Sequence, residues 1–246
     1  MKHTQDHFSP IASGYAQGRI CYPEELYRFL SAECGEHELA WDCATGSGQA
    51  AQDLTRTFSR VIATDISEEL LALAPPSPRI SYRMASAEES GIDPDSVDLI
   101  TVAQALHWFD LTRFWPEVTR ILKKGGVIAF WGYTWPIVEP EIDRVLEQFK
   151  AVISSSWPDR SSLLHGGYRS IRAPLRELPC PAFEASASWV LDDYLAHLRS
   201  WSAVRYYHER TGENVTERFR PAFAEAWAWG GRSAKWPLIV RVFKKE

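Results

Sequence analysis

Between residues 39 and 131, short apolar runs alternate with stretches whose apolar residues recur every three or four positions. LAWDC, RVIATD, ISYRM, VDLITVAQA and VIAFWG have the length and content of buried strands, and QAAQDLTRTF, SEELLALA and LTRFWPEVTRIL carry helical spacing between them. This alternation predicts βαβ units and a parallel sheet covered by helices on both faces. The PPSP stretch at 75–78 ends the second of these helices, and Gly125-Gly126, behind Lys123 and Lys124, is expected to stop the third. Upstream, PEELYRFLSAE predicts one helix with Pro23 at its first position. Downstream, residues 139–150 predict an amphipathic helix, and 154–174 read as loop-rich. FEASASWVL alternates like a half-exposed strand, DDYLAHLRSWSAV and TERFRPAFAEAWAW read as helices, and WPLIVRVFKK reads as a last strand. The two late strands are expected to complete the sheet at its edge, with the insertions capping the strands' C-terminal ends.

In an open α/β sheet, ligands bind beyond the carboxyl ends of the strands, where the strand order reverses. The turn D-x-A-T-G-S-G at 42–48 should lie there. Small residues at Ala44, Gly46 and Gly48 allow a tight turn and a close approach by a ligand. The spacing is not the G-x-G-x-x-G of a dinucleotide site. Asp42 at the strand's end would repel a pyrophosphate and suits a ligand with a cationic amino-acid part. Asp65 closes the next strand, where an acid can accept both hydroxyls of a ribose. After the third strand, Ala87 and Glu88 in MASAEE stand where an adenine edge could be flanked and hydrogen-bonded.

The composition narrows the partners. Net charge is −5, from 27 basic and 32 acidic residues, which argues against a nucleic-acid partner held on a basic face. The four cysteines, Cys21, Cys34, Cys43 and Cys180, are scattered and read as reduced thiols. There is no leader-like or membrane-spanning apolar stretch, so a cytoplasmic protein without a membrane partner is expected. Seven histidines form no H-E-x-x-H or Cys/His cluster, so no metal is expected. The G-x-S-x-G elbow of a hydrolase is missing as well. Tryptophan occurs 11 times, a content that serves core packing or an aromatic-lined small-molecule pocket.

With acid, small turn and second acid in this order, the block 39–131 resembles the class I S-adenosylmethionine-dependent methyltransferases. Ala44 stands where that family usually has the first glycine of its motif. AQALHWFD at 103–110, and the N-terminal spacing of Tyr15, Arg19, Tyr22 and Pro23, resemble the small-molecule subgroup that includes trans-aconitate methyltransferases. The resemblance implies a Rossmann-like, doubly wound, seven-stranded and mostly parallel α/β sheet with a helical cap insertion. It also implies an N-terminal helical arm (1–38), a cofactor-binding core (39–133) and a sheet-completing, substrate-capping remainder (134–246) within a single domain. S-adenosylmethionine would be the cofactor and S-adenosylhomocysteine the product. Tyr15 and Arg19 would meet the methionyl carboxylate or the substrate. Asp42, Ala44, Thr45, Gly46, Gly48, Asp65, Ile66, Ala87, Glu88, Ala103 and Gln104 would contact the cofactor, with Gln104 bonding through its amide.

Methyl transfer from a sulfonium needs its three reacting atoms collinear and dry, and a base is optional. His107, after the fourth strand, is the candidate catalytic residue, acting as a base if the acceptor carries a proton. Trp108, Tyr133, His165, Tyr168 and Arg169 are candidate substrate contacts, Arg169 as a carboxylate clamp with Arg172. A small-molecule acceptor is expected, a carboxylate oxygen first, with the protein a monomer or homodimer. The alternative is a non-catalytic binder of the cofactor or its product.

Overall fold

The computed structural model describes residues 20–246. Tyr15 and Arg19, and with them residues 1–19 of the expected N-terminal arm (1–38), lie outside the described residues. Seven strands form one sheet: β1 (Leu39–Cys43), β2 (Arg60–Asp65), β3 (Ile80–Met84), β4 (Val97–Ala103), β5 (Leu122–Gly132), β6 (Arg176–Leu178) and β9 (Ile239–Lys244). Their order is β3-β2-β1-β4-β5-β9-β6. The first five are parallel, and β9 runs antiparallel between β5 and β6. The expected seven-stranded, mostly parallel sheet is therefore present.

Helices α1 (Glu24–Glu33) and α2 (Gln49–Leu54) bury their apolar residues with one face of the sheet, and α4 (Leu111–Ile121) covers the other. β1 is buried along its whole length, as a central parallel strand must be, and reads accordingly as a nearly unbroken apolar run. At its start, Asp98 of β4 accepts from the backbone N–H groups of Glu38 and Leu39 and pairs with Lys123 of β5 at 2.7 Å. These bonds fix β1, β4 and β5 at the end opposite the candidate site.

The chain beyond β5 builds a second packed unit on the first. Helices α5 (Pro140–Ile153), α6 (Ser161–His165), α7 (Leu191–Arg199), α8 (Ser202–Thr211) and α9 (Val215–Trp227) accompany a two-stranded antiparallel sheet of β7 (Glu184–Trp189) and β8 (Arg232–Pro237). α5, α7, α8 and α9 share a core with β7 and β8 that includes Tyr194, Trp227 and Trp236.

Several expectations are corrected here. β7 pairs with β8 and not with the main sheet, and the last run splits near Pro237 into β8 and β9, because proline cannot donate to a ladder. The main sheet's remaining strand is instead β6, which lies in a segment bracketed by Pro174 and Pro179. The stretch 192–204 spans two helices, broken around Trp201, and the supposed loop 154–174 contains a 3-10 turn and α6. α2 and α3 (Glu68–Leu71) are shorter than their apolar periodicity suggested. Lys123 to Gly126 belong to β5, with Gly125 at φ +79 donating to the Lys245 carbonyl. Among the described residues no helix is long and apolar enough to cross a membrane, and no cluster fit for a metal ion occurs.

Candidate functional site

β1 has β2 on one side and β4 on the other, so the turn after it sits where the strand order reverses. Ala44, Gly46 and Gly48 all adopt positive φ, at 55°, 59° and 80°. For Gly48 the glycine is required: a Cβ there would meet the Tyr82 hydroxyl at 2.5 Å. Asp42 is fully buried beneath the turn. It accepts from the Thr45 hydroxyl at 2.5 Å and from the Thr101 hydroxyl, on the neighbouring strand, at 2.7 Å. Burial pushes its pKa up to about 6, against the pull of these bonds. Asp42 thus shapes the turn from below, a use of the carboxylate that spacing alone did not reveal.

Asp65, at the end of β2, accepts from the backbone N–H of Gly46 at 2.8 Å and from that of Ser67 at 3.0 Å. It ties the first turn to the second, and Ile66 follows it half-buried. An ionised carboxylate has about four lone-pair directions, the acceptor chemistry a ribose diol needs. Beyond β3, Ala87 is buried, and Glu88 accepts from the Asp110 N–H at 2.9 Å, which fixes the start of α4. Gln49, opening α2, donates to the Ile20 carbonyl, so the N-terminal segment reaches the turn.

Gln104 follows Ala103 at the end of β4 with φ 59°. Its amide nitrogen donates to the Tyr133 carbonyl at 3.0 Å and its amide oxygen accepts from the Tyr133 N–H at 2.9 Å. Both amide atoms thereby tie β4 to the chain leaving β5. Gly132 is small for the same reason: a Cβ would lie 2.6 Å from Gln104 Oε1.

Gln104, His107, Trp108, Tyr133 and His165 all line one cavity of about 100 Å³. Five of the expected residues thus converge there. Sequence reasoning did not assign His197, Trp135, Trp157 or Trp201 to the site, and these complete the wall together with Thr134, Ser161, Leu164, Ser200 and Ser202. The excess of tryptophan was their signal, but it does not say which ones face a ligand: Trp131, Trp227 and Trp236 are core, and Trp229 is 85% exposed. His107, in the 3-10 turn Leu106–Trp108, is buried, and burial lowers its pKa to about 4, helped by the nearby His165. His197 stands among Trp189, Trp236 and Trp201, with ring centroids 5.1, 5.3 and 5.8 Å away. Lys150 lies 4.4 Å above the Trp135 ring.

Two candidates are placed differently from expectation. Gly167 and Tyr168 both adopt positive φ. That turn sends Tyr168 fully inside, its hydroxyl 3.1 Å from His107 Nδ1, and leaves Arg169 exposed and off the cavity wall. Arg172 borders an open groove along α4 instead. The expected carboxylate clamp of these two arginines is not part of the cavity.

A doubly wound sheet with an acid-flanked, left-handed turn at its switch point defines a Rossmann-like nucleoside-binding enzyme fold. Residues 41–130 match the family model described as "Methyltransferase domain". The chain is 36% identical to a solved structure from Anaeromyxobacter dehalogenans named a "Putative Type II Methyltransferase", with a TM-score of 0.85, covering 92% of this chain and 97% of that one. It is 26% identical to a "Putative methyltransferase" of Dictyostelium discoideum over 98% of this chain and 95% of that protein. A Saccharomyces cerevisiae "Probable S-adenosylmethionine-dependent methyltransferase" is 31% identical over 50% of this chain and 45% of its own length. The chain belongs to the class I S-adenosylmethionine-dependent methyltransferases, and S-adenosylmethionine is its cofactor.

Proposed function

We propose that the chain moves the methyl group of S-adenosylmethionine onto a small molecule seated in the aromatic cavity, with a carboxylate oxygen as the preferred acceptor. The observation that carries this reading is placement. The cavity is walled by residues that follow β4 and β5, on the same sheet edge as the turn after β1. Asp65 would hold the ribose, the small residues 44–48 would let the cofactor close on the backbone, and Ala87 and Glu88 would flank the adenine. Tyr15 and Arg19 would meet the methionyl carboxylate or the substrate.

When bound, the cofactor supplies a methyl group on a positively charged sulfur. The cavity residues then have to exclude water and hold the acceptor in line. Trp108, Trp135, Trp157 and Trp201 supply apolar walls. At about 100 Å³ the cavity lies below the roughly 300–1,000 Å³ of sites for drug-sized ligands, which favours a small acceptor. A carboxylate is ionised at pH 7 and needs no base. Among the described lining residues there is no lysine or arginine to form a direct ion pair that would blunt its nucleophilicity. The test is incubation of the protein and S-adenosylmethionine with a panel of small carboxylic acids and phenols, read by mass spectrometry. Methyl esters with S-adenosylhomocysteine are the expected products. Methyl ethers alone would reassign the acceptor to a hydroxyl, and cofactor binding without turnover on any member would favour the non-catalytic binder.

A further inference from the structure

The polar contacts of the His107 ring decide what it offers the cavity. Nδ1 lies 3.1 Å from the Tyr168 hydroxyl, and that hydroxyl makes no other hydrogen bond among the described residues. Tyr168 is 0% exposed, packed edge-on against Phe130 with ring centroids 5.5 Å apart, so no solvent reaches its O–H. Two arrangements are possible. If Nδ1 carried the proton and donated to the tyrosine oxygen, the phenolic O–H would be a buried donor without an acceptor, at the full desolvation cost of that group. If the tyrosine donates to Nδ1, both groups are satisfied, and the proton of the neutral imidazole sits on Nε2.

We propose that Tyr168 is a positioning residue that locks His107 as the Nε2–H tautomer, so that the ring presents a hydrogen-bond donor to the cavity and selects an acceptor oxygen with a lone pair to give. The inference rests on the reading of the cavity as the acceptor site and sharpens it. A donor at this place grips one oxygen of a carboxylate and leaves the other to attack, and it takes no proton from a hydroxyl. Nearby, His197 repeats the pattern: Trp201 Nε1–H, which can only donate, points at His197 Nε2 at 3.4 Å, which puts the proton of a neutral ring on Nδ1. The burial that keeps His107 uncharged near neutral pH agrees with a ring that serves as a neutral donor.

The test is nitrogen-15 NMR of protein labelled at histidine, at pH 7, with the His107 signals assigned by their loss in His107→Gln. The expected spectrum has a protonated Nε2 and a lone-pair Nδ1, and the reverse pattern overturns the proposal. In Tyr168→Phe, which keeps the ring and removes only the hydroxyl, the two tautomers should mix. KM for a carboxylate acceptor should rise about fivefold, with kcat within about twofold. An unchanged tautomer in that variant removes Tyr168 from the role. The tautomer is read without turnover, so a protein that methylates nothing on the panel would sink the acceptor reading while leaving the spectrum to decide on Tyr168.

Discussion

The turn after β1 takes its shape from seven consecutive residues, 42–48, and from one acid 17 residues further on, whereas the cavity takes its wall from residues spread between Gln104 and Ser202. In the first region the backbone does the work: three left-handed residues, a buried carboxylate beneath them and a second carboxylate tying turn to turn. In the second, side chains do it, and neighbours such as His107 and His165 or Trp135 and Trp201 meet only because helices α5 to α9 fold back over the sheet. A site made of backbone tolerates few changes and serves one ligand. A site made of side chains on a separate set of helices can change its acceptor while the cofactor turn stays as it is.

The largest break in this comparison should come from Gly48→Val. A β-branched side chain at φ +80 beside the Tyr82 ring strains the turn by the roughly 1–2 kcal/mol of a left-handed residue plus the displacement of the tyrosine. Calorimetry should find S-adenosylmethionine binding weaker by about 100-fold. Unaltered affinity would show that this turn does not cradle the cofactor.

The two regions also oppose each other in acid. Asp42 has a folded pKa raised to about 6 from 3.8, so the folded chain binds a proton before the unfolded one. Its ionisation costs stability as pH rises through that window, and acidification from pH 6 to 4 relieves the cost. His107 has its pKa lowered to about 4 from 6.5, so the unfolded chain is protonated first, and stability is lost as pH falls from 6.5 to 4. Each effect is on the order of 3 kcal/mol over its window. Urea denaturation at pH 7 and pH 4 should show Asp42→Asn losing more stability on acidification than the parent chain and His107→Gln losing less. Equal losses in all three would mean that neither group titrates as its burial dictates.

Gln104 braces the cavity region from the end of β4. Gln104→Ala removes both of its bonds to the Tyr133 backbone and should lower unfolding stability by about 2 kcal/mol, measured by the same denaturation. The smallest effect sharpens the contrast: Trp157→Ala, on the cavity wall, should raise the KM of an acceptor about tenfold and leave the cofactor Kd within about twofold. A matching change in cofactor affinity would show that the two sites are one.

The parallel core was readable because local signals agreed there. β1, β2, β4 and β5 are apolar runs bounded by polar turns, and the acids ending β1 and β2 fall at fixed places in the pattern. β6 was not readable, since three residues between prolines hold no period to detect. β7 was readable as a strand but not as to its partner, because alternation reports one half-buried face and says nothing of which strand lies alongside. In the same way, the stretch 192–204 read as helical without showing that His197 within it would border the cavity. The structural bonds of Asp42 and Gln104 were hidden for another reason: that Thr101 would stand beside Asp42, and Tyr133 beside Gln104, depends on the register between strands far apart in the chain.

β9 enters the sheet between β5 and β6, about a hundred residues after β5 is complete. On a ribosome adding about 5–20 residues per second, the β5 edge therefore stays open for roughly 5 to 20 seconds, with β6 already made and unable to dock. During that interval the nascent chain presents the unpaired backbone of Phe130 and Trp131, a sticky edge that invites chaperones or a neighbouring nascent chain. The residues that emerge late, and not the cofactor core that emerges early, thus determine when the newborn protein becomes safe from aggregation.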